Sequence, residues 1–356
     1  MDSDYINKLT SKRVPWLKDS GPDDDIAISS RIRLARNLQG FKFPVIADKP
    51  TLNNVVHAVA SALQSTKSID NIIQLNMHEL SQLDADFLLE RRLLSREFSL
   101  RKDNTCLFMN EQENMAIMVN EEDHLRLHCI MPGFQFNKIW EKINKLDSEL
   151  STELPYCFDS KIGFLTSCPS NVGTGMRASV MLHLPGLAIA GFSDSLIQGV
   201  FKLGMVVRGI LGEGSDNLGN LFQVSNQSTL GESENEIIKR LSTLVSQIIT
   251  HEKNARLKLQ ESNKNILLDN IGRAYGTLKY SYILSTKDAL QSLSMLRLGV
   301  DLGVIRSIDI HTVNELFITI QPAHLQKFSD LEMDSEERDQ IRARFVRETI
   351  QKAMVK

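Results

Sequence analysis

Cysteine is scarce in this sequence: Cys106, Cys129, Cys157 and Cys168 are the four in 356 residues, with no Cys-x-x-Cys pair. That excludes a disulfide-built scaffold and a zinc knuckle and fits a reducing compartment. Long apolar runs are lacking too. The most apolar stretch, 181–192, contains His183 and Pro185 and is too short to span a bilayer. Neither sign of charge dominates: 41 Lys and Arg against 44 Asp and Glu leave −3, so no global basic field recruits nucleic acid. The opening Met1-Asp2-Ser3-Asp4 lacks the basic-then-apolar order of a signal peptide. What is there, 42% hydrophobic and 24% charged residues, is the profile of a soluble globular protein. A cytoplasmic chain with no membrane and no nucleic-acid partner is expected.

Short β-type runs recur at 26–34, 105–110, 115–120, 124–131, 163–168, 179–184, 205–210 and 221–225, with helical runs near 51–65, 82–95, 133–150 and 193–202. Two strands alternate cleanly. Leu125, Leu127, Cys129 and Met131 share one side, with His124, Arg126, His128 and Ile130 on the other. In the first strand Ile28, Ser30, Ile32 and Leu34 oppose Ser29, Arg31 and Arg33. Such alternation predicts a sheet with one face on the core and one polar face. Beyond it, Ser233-x-x-Glu236 reads as a capping box before the stripe Ile237, Leu241, Leu244, Ile248. A polar stretch at 253–264 suggests a boundary. The remainder reads as helical, with one helix opened by Ser285-x-x-Asp288 and a charged terminal helix from Asp334. The expectation is an α+β domain at 26–255, preceded by a polar segment 1–25 and followed by a helical domain at 256–356.

Arginine on strands is the conspicuous chemistry. Arg31 and Arg33 share a face, Arg126 lies on the polar side of another strand, and Arg177 and Arg208 adjoin glycine turns, Gly173-Thr174-Gly175 and Gly209 through Gly214. A guanidinium fork binds phosphate bidentately and keeps its charge. Any one of these arginines taken alone is as well explained by a carboxylate partner at a strand edge. Five together point to a polyanion site. It is no familiar nucleotide site, because neither G-x-x-x-x-G-K-[ST] nor the H-R-D, D-F-G and V-A-I-K set occurs.

Glu121-Glu122-Asp123-His124 leads into the strand of Arg126, and strand spacing puts Glu122 and Arg126 on one face about 13 Å apart. Glu213 sits in the glycine turn after Arg208. Two acidic groups beside a phosphate pocket suggest a cationic substrate; a solvated turn is the plainer reading of 121–123. Cys168, among Thr166, Ser167 and Ser170, is either a thiol of altered acidity or a small buried hydrophobe. His124 and His128 are too far apart on a strand to share a metal, so no metal site is expected.

Four ordered blocks resemble the signatures of the guanidino (phosphagen) kinases. They are Ser29-Ser30-Arg31-Ile32-Arg33, the run Asn120 to Arg126, the run Cys168 to Arg177, and Arg208-Gly209 through Glu213. Phosphagen kinases carry a helical domain before the first block, whereas here the extra helical region follows the last. That layout is similar to the bacterial protein arginine kinases of the McsB type. Arg338-Asp339-Gln340-Ile341-Arg342-Ala343 fits their R-D-x-x-R-A motif.

The resemblance implies a mainly antiparallel sheet flanked by helices, of the guanidino kinase and glutamine-synthetase-like kind, followed by an all-helical domain. It implies ATP with nucleotide-bound Mg2+, the phosphates held by Arg31, Arg33, Arg126, Arg177 and Arg208. Ser29, Ser30, Ile32, Ala178, Ser179, Val180, Met181, Gly209, Ile210, Leu211 and Gly212 would line the same nucleotide site. Arg92 aligns where the family often has a nucleotide-edge histidine. Glu122 and Glu213 would grip the acceptor guanidinium, Glu122 as base, with Glu121 and Cys168 close by. Arg338, Asp339, Arg342 and Ala343 would form a regulatory phosphoarginine pocket. Implied partners are proteins with exposed arginines, a zinc-binding activator, the Clp protease and a second copy in a homodimer. Competing readings are a non-catalytic phosphoarginine adaptor and a kinase of small guanidines. A glutamine-synthetase-like ligase is a third, for which nothing supplies metal carboxylates.

Overall fold

Alternation in the first strand sets the layout, because successive side chains of a strand face opposite ways. The computed structural model describes residues 2–209 and 218–354. Its strands are β1 (Ala27–Arg36), β2 (Ile72–Asn76), β3 (Cys106–Asn110), β4 (Met115–Val119), β5 (Leu125–Pro132), β6 (Phe158–Asp159), β7 (Gly163–Phe164), β8 (Met176–His183), β9 (Met205–Gly209) and β10 (Leu221–Asn226). Eight form one sheet in the order β2-β3-β4-β5-β1-β8-β10-β9, every adjacent pair antiparallel, and β6 and β7 make a small hairpin. The helices are α1 (Asp2–Thr10), α2 (Lys49–Ser65), α3 (Gln82–Glu90), α4 (Arg96–Ser99), α5 (Phe136–Glu153), α6 (Pro185–Ile189) and α7 (Ser193–Lys202). The chain ends in α8 (Glu234–Ser262), α9 (Lys264–Tyr280), α10 (Thr286–Asp301), α11 (Ile310–Thr319), α12 (Pro322–Ser329) and α13 (Ser335–Met354). No described helix is long and apolar enough to cross a membrane.

One sheet face is mainly apolar. Ile32, Leu34, Leu127, Cys129, Ala178, Val180, Phe222 and Val224 are buried there. Over them lie Val55 and Val59 of α2, Ile139, Ile143 and Leu146 of α5, and the Ile237, Leu241, Val245, Ile248 stripe of α8. Each fully buried aliphatic side chain contributes about 1.5–3 kcal/mol, so this layer carries the fold. The expected capping box is present: the Ser233 hydroxyl accepts from the Glu236 N–H, and the Glu236 carboxylate accepts from Ser233 N–H at 2.8 Å. A buried ion pair ties β1 to α5: Arg36 donates from Nη2 to Asp147 at 2.7 Å, with Phe164 stacked 3.5 Å from its guanidinium carbon.

The other face is divided. Leu75, Leu107, Met109, Ala116 and Met118 are covered by Phe87 and Leu88 of α3, Ile6 and Leu9 of α1, and Ala323 of α12. Leu221, Ile28 and Met181 are covered by the helical third, with Leu290 and Leu293 of α10, Leu316 and Phe317 of α11, and Val346 of α13. Between these clusters the face carries arginine.

The polar segment 1–25 is anchored, with Ile6, Leu9, Trp16 and Leu17 buried against the body. Some expected elements are corrected. The helix expected at 82–95 stops at Glu90, because Arg92 takes φ +69°, and resumes as one short turn. The strand expected at 163–168 amounts to Gly163–Phe164. The division expected at 255/256 falls within α8, an unbroken helix in which buried Glu252 and Arg256 pair at 2.7 Å.

Candidate active site

Pairing register gathers the arginines. Arg33 lies opposite His128 of β5 on one side and Arg177 of β8 on the other. Arg31 lies opposite Ile130 and Ser179, and Arg126 opposite Ala35 and Met118. Met181 pairs with Gln223, and Gln223 with Arg208 of β9. Directly opposed residues share a face, so Arg31, Arg33, Arg126, Arg177 and Arg208 all project from the same side of four strands. β8 begins at Met176, three residues earlier than expected, which puts Arg177 on the strand. The glycines before it permit this: Gly173 and Gly175 have φ of +109° and +62°, and a Cβ on Gly173 would lie 2.2 Å from the Thr229 carbonyl.

These guanidinium groups are half-buried and crowd one another. Burial, then the charges of Arg92, Arg126 and Arg177, pushes Arg31 down to about 9. Arg33 is driven well below its ordinary value by burial and by Arg31, Arg126 and Arg177, and its Nε is buried without a hydrogen bond. His128, 2% exposed, is pushed down to about 3 by burial and by Arg31, Arg33 and Arg126, so it is neutral at pH 7. Arginine stays protonated all the same. The direction of these shifts therefore measures the cost of holding like charges together in low dielectric, which a polyanion would offset. Arg92, at the end of α3, belongs to this charge cluster and is itself lowered by burial.

Glu121 is the carboxylate inside the cluster. It is 2% exposed, accepts from Arg126 Nη1 at 2.5 and 2.6 Å, and accepts from the Ser95 hydroxyl. Burial raises its pKa, but the Arg126 charge and these hydrogen bonds outweigh that and hold it below the usual carboxylate range. Spacing along a continuous strand had set Glu122 over Arg126. Instead Asn120 takes φ +64°, residues 120–124 form a bend, and β5 starts at Leu125, so Glu121 turns toward Arg126. His124 leaves the polar face as well. It is fully buried, its Nδ1 accepting from Leu38 N–H at 3.0 Å and its Nε2 donating to the Lys42 carbonyl at 3.0 Å.

Glu122 sits at the rim, half-buried. Burial, then Asp123, raises its carboxyl above the ordinary value, against the nearby Arg126 charge. The Cys168 loop is fastened to this bend: Ser167 Oγ donates to the Glu122 carbonyl at 2.7 Å, and Ser167 N–H donates to Asp123 Oδ1 at 2.6 Å. Asn171 Nδ2 donates to Glu122 Oε2 at 3.4 Å. Cys168 is half-buried, with its Sγ 3.0 Å from Ser170 Oγ. The structure thus brings Glu122 and Cys168 together on two joined loops beside the arginine face.

Other expected nucleotide residues divide by strand parity. Ser179 and Met181 share the arginine face, and Ser29 is buried beside a bulge between Ala27 and Ser29. Ser30, Ile32, Ala178 and Val180 point the other way, where the two-residue period of a strand puts their side chains out of reach. Gly209 ends β9, while Ile210, Leu211, Gly212 and Glu213 lie outside the described residues. In the terminal helix Arg338 and Asp339 are half-buried, and Ala343 is in the core. Arg342 is 1% exposed, donating to the Ile320 and Leu284 carbonyls at 3.0 and 2.9 Å and to Asp339. Arg36 and Ser95, which sequence reasoning passed over, hold β1 on α5 and Glu121 in place. The Ser-x-x-Phe opening of a turn just after Arg92 was the available signal for Ser95.

Residues 54–255 match the ATP:guanido phosphotransferase C-terminal catalytic domain, and residues 264–356 match the protein-arginine kinase McsB C-terminal domain. The chain is 42% identical over 335 residues to the protein-arginine kinase of Pelotomaculum thermopropionicum, covering 93% of this chain and 94% of that one. It is 41% identical over 353 residues to that of Bacillus cereus, covering 97% and 98%. Among solved structures, a lombricine kinase superposes with a TM-score of 0.59 at 23% identity, over 68% of this chain and 70% of that one. The duplicated taurocyamine kinase of Schistosoma mansoni with bound transition state analog components superposes with a TM-score of 0.59 at 26% identity, over 72% of this chain and 38% of that one. The chain therefore belongs to the protein-arginine kinase family within the ATP:guanido phosphotransferases, and it is a phosphotransferase.

Proposed function

We propose that this enzyme moves the γ-phosphoryl group of ATP onto arginine guanidinium groups of protein substrates. The observation that carries the reading is the strand register, which aims five arginines from one face, with Glu122 in the bend before β5 near Arg126. Arg31, Arg33, Arg126, Arg177 and Arg208 bind the triphosphate and spread the charge of the transferring group. Nucleotide-bound Mg2+ adds to that neutralisation; a donor set of guanidinium groups repels a cation, so the phosphates would hold the ion. Glu121 fixes Arg126 rather than touching substrate. Glu122 orients the planar acceptor and takes its N–H proton as the N–P bond forms and the bond to the ADP oxygen breaks. Its raised proton affinity suits a base. Cys168 flanks the acceptor, and Glu213 would be the second carboxylate.

The same reading includes a cytoplasmic homodimer, a zinc-binding activator and delivery of the marked proteins to the Clp protease. For regulation, half-buried Arg338 and Asp339 are the groups open to a phosphoarginine, while Arg342 and Ala343 frame them. The test is incubation with γ-labelled ATP, magnesium and an arginine-rich protein. Acid-labile label on arginine is expected. Acid-stable label, or strong preference for free arginine, overturns the reading.

A further inference from the structure

Glu90, the last residue of α3, reaches across to the helical third of the chain. Its Oε1 accepts from Ala323 N–H at 2.8 Å, and its Oε2 accepts from His324 N–H at 2.9 Å and from His324 Nδ1 at 2.7 Å. A carboxylate can only accept here, so His324 is the Nδ1–H tautomer. Its ring, 6% exposed, packs 4.4 Å from Phe87 of the same α3. One side chain thus satisfies the first N–H groups of α12, which are otherwise orphaned at a helix start. Lys327, one turn further along α12, pairs with Asp84 of α3.

Two residues after Glu90 the chain enters the arginine face. Arg92 N–H bonds to the Leu89 carbonyl at 2.9 Å, and Arg92 holds the left-handed φ of +69°. That conformation is disfavoured for a residue with a Cβ and persists only when its surroundings fix it. Locally the helix end fixes it, since Leu93 N–H also bonds back to the Leu88 carbonyl at 3.0 Å, the pairing that places a left-handed residue just past a helix. Arg91, whose Nε and Nη2 each donate to Glu113 at 2.7 Å, and the Glu90 latch then set where that helix end lies. The turn before α12 is held in its own right, because Arg342 of α13 donates to the carbonyl of Ile320.

We propose that Glu90 is a positioning residue, latching α12 to the end of α3 so that Arg92 stays on the nucleotide-binding face. The helical third then takes part in nucleotide binding without touching the nucleotide. The inference rests on the reading of the arginine face given above. Arg92 and Arg31 repel each other, and holding the end of α3 in place against that repulsion is the work given to the latch.

The test compares Glu90→Gln, Glu90→Ala, Arg92→Ala and the double variant Glu90→Ala/Arg92→Ala, with Arg31→Ala as the control for the face itself. Nucleotide affinity is read by calorimetric titration of ATP, turnover by label transfer, and folding by circular dichroism. Glu90→Ala is expected to weaken ATP binding about 3- to 30-fold and raise KM for ATP more than it lowers kcat. Glu90→Gln, which keeps one acceptor oxygen, falls between. The double variant matches Arg92→Ala alone in ATP affinity, because removing the latch costs no further affinity once its load is gone. Additive losses in the double variant, or an unchanged ATP affinity in a folded Glu90→Ala, overturn the proposal. If Arg31→Ala also binds ATP normally, the reading of the face fails instead.

Discussion

Replacing Glu121 by Gln removes one charge and almost no volume, and it tests whether the carboxylate orients Arg126. At about 4 Å between charge centres and an effective dielectric of about 20, the pair is worth about 4 kcal/mol before desolvation is counted. Breaking a buried pair from one side costs about 3–5 kcal/mol, and the 22% exposure of the Arg126 side chain lets it recover some hydration, so about 2–3 kcal/mol of stability is expected to be lost. The amide that replaces one oxygen also presents a donor to a donor. Turnover is expected to fall by about 10², the cost of misplacing a reacting partner by about 1 Å. Urea denaturation and single-turnover label transfer read the two effects. The pH dependence supplies a third check. The Glu121 carboxyl is held below its ordinary value, so its contribution is fully present above the unfolded value, near 4.5, and is lost as pH falls through the lower folded value. The stability gap between wild type and variant should therefore close in acid below about pH 4. A gap that stays constant with pH, or a variant with full turnover, refutes the orienting role.

Arg208→Ala should nearly abolish transfer, since a single arginine at a transferring phosphoryl group is worth about 10³–10⁵ in rate; a variant keeping most of its activity in the label-transfer assay removes Arg208 from the site. Glu122→Gln should bind ATP normally in a titration yet lose turnover. In wild type the acid limb of kcat/KM should lie above the ordinary carboxylate value, because burial and Asp123 raise it and the base must be ionised. Loss of ATP binding in Glu122→Gln contradicts that role. Asp147→Ala, which strands the 1%-exposed Arg36 guanidinium, should cost about 3–5 kcal/mol in urea denaturation with the face chemistry unaltered in the folded fraction, and a cost under about 1 kcal/mol contradicts it.

How far the sequence could be read depended on where the burial sits. β1 and β5 alternate because one face meets the core and the other meets charge, so Arg31, Arg33 and Arg126 were placed correctly from period two alone. β2, Ile72–Asn76, escaped notice because it is a half-exposed edge strand with no alternation to detect. α1 was hidden in a segment whose polar residues outnumber the two, Ile6 and Leu9, that anchor it. The exchange of Glu121 for Glu122 beside Arg126 came from one backbone angle at Asn120, which no spacing rule registers. Arg338 and Arg342, at i, i+4, look like solvated helix surface, and Arg342 becomes structural only once the carbonyls of Leu284 and Ile320, distant in sequence, are brought to it.

Because Arg31 and Arg33 rise from the middle of a central hydrogen-bonded strand, they cannot be retuned one at a time by a moving loop. Sliding β1 by a single residue against β5 would plunge Arg31 and Arg33 into the oily layer over α5 and lift Ile32 and Leu34 into water. A chain that folds with the wrong alignment is thus silenced and unstable at once. The pleat acts as a proofreader, admitting to catalysis only molecules whose interior is also correct.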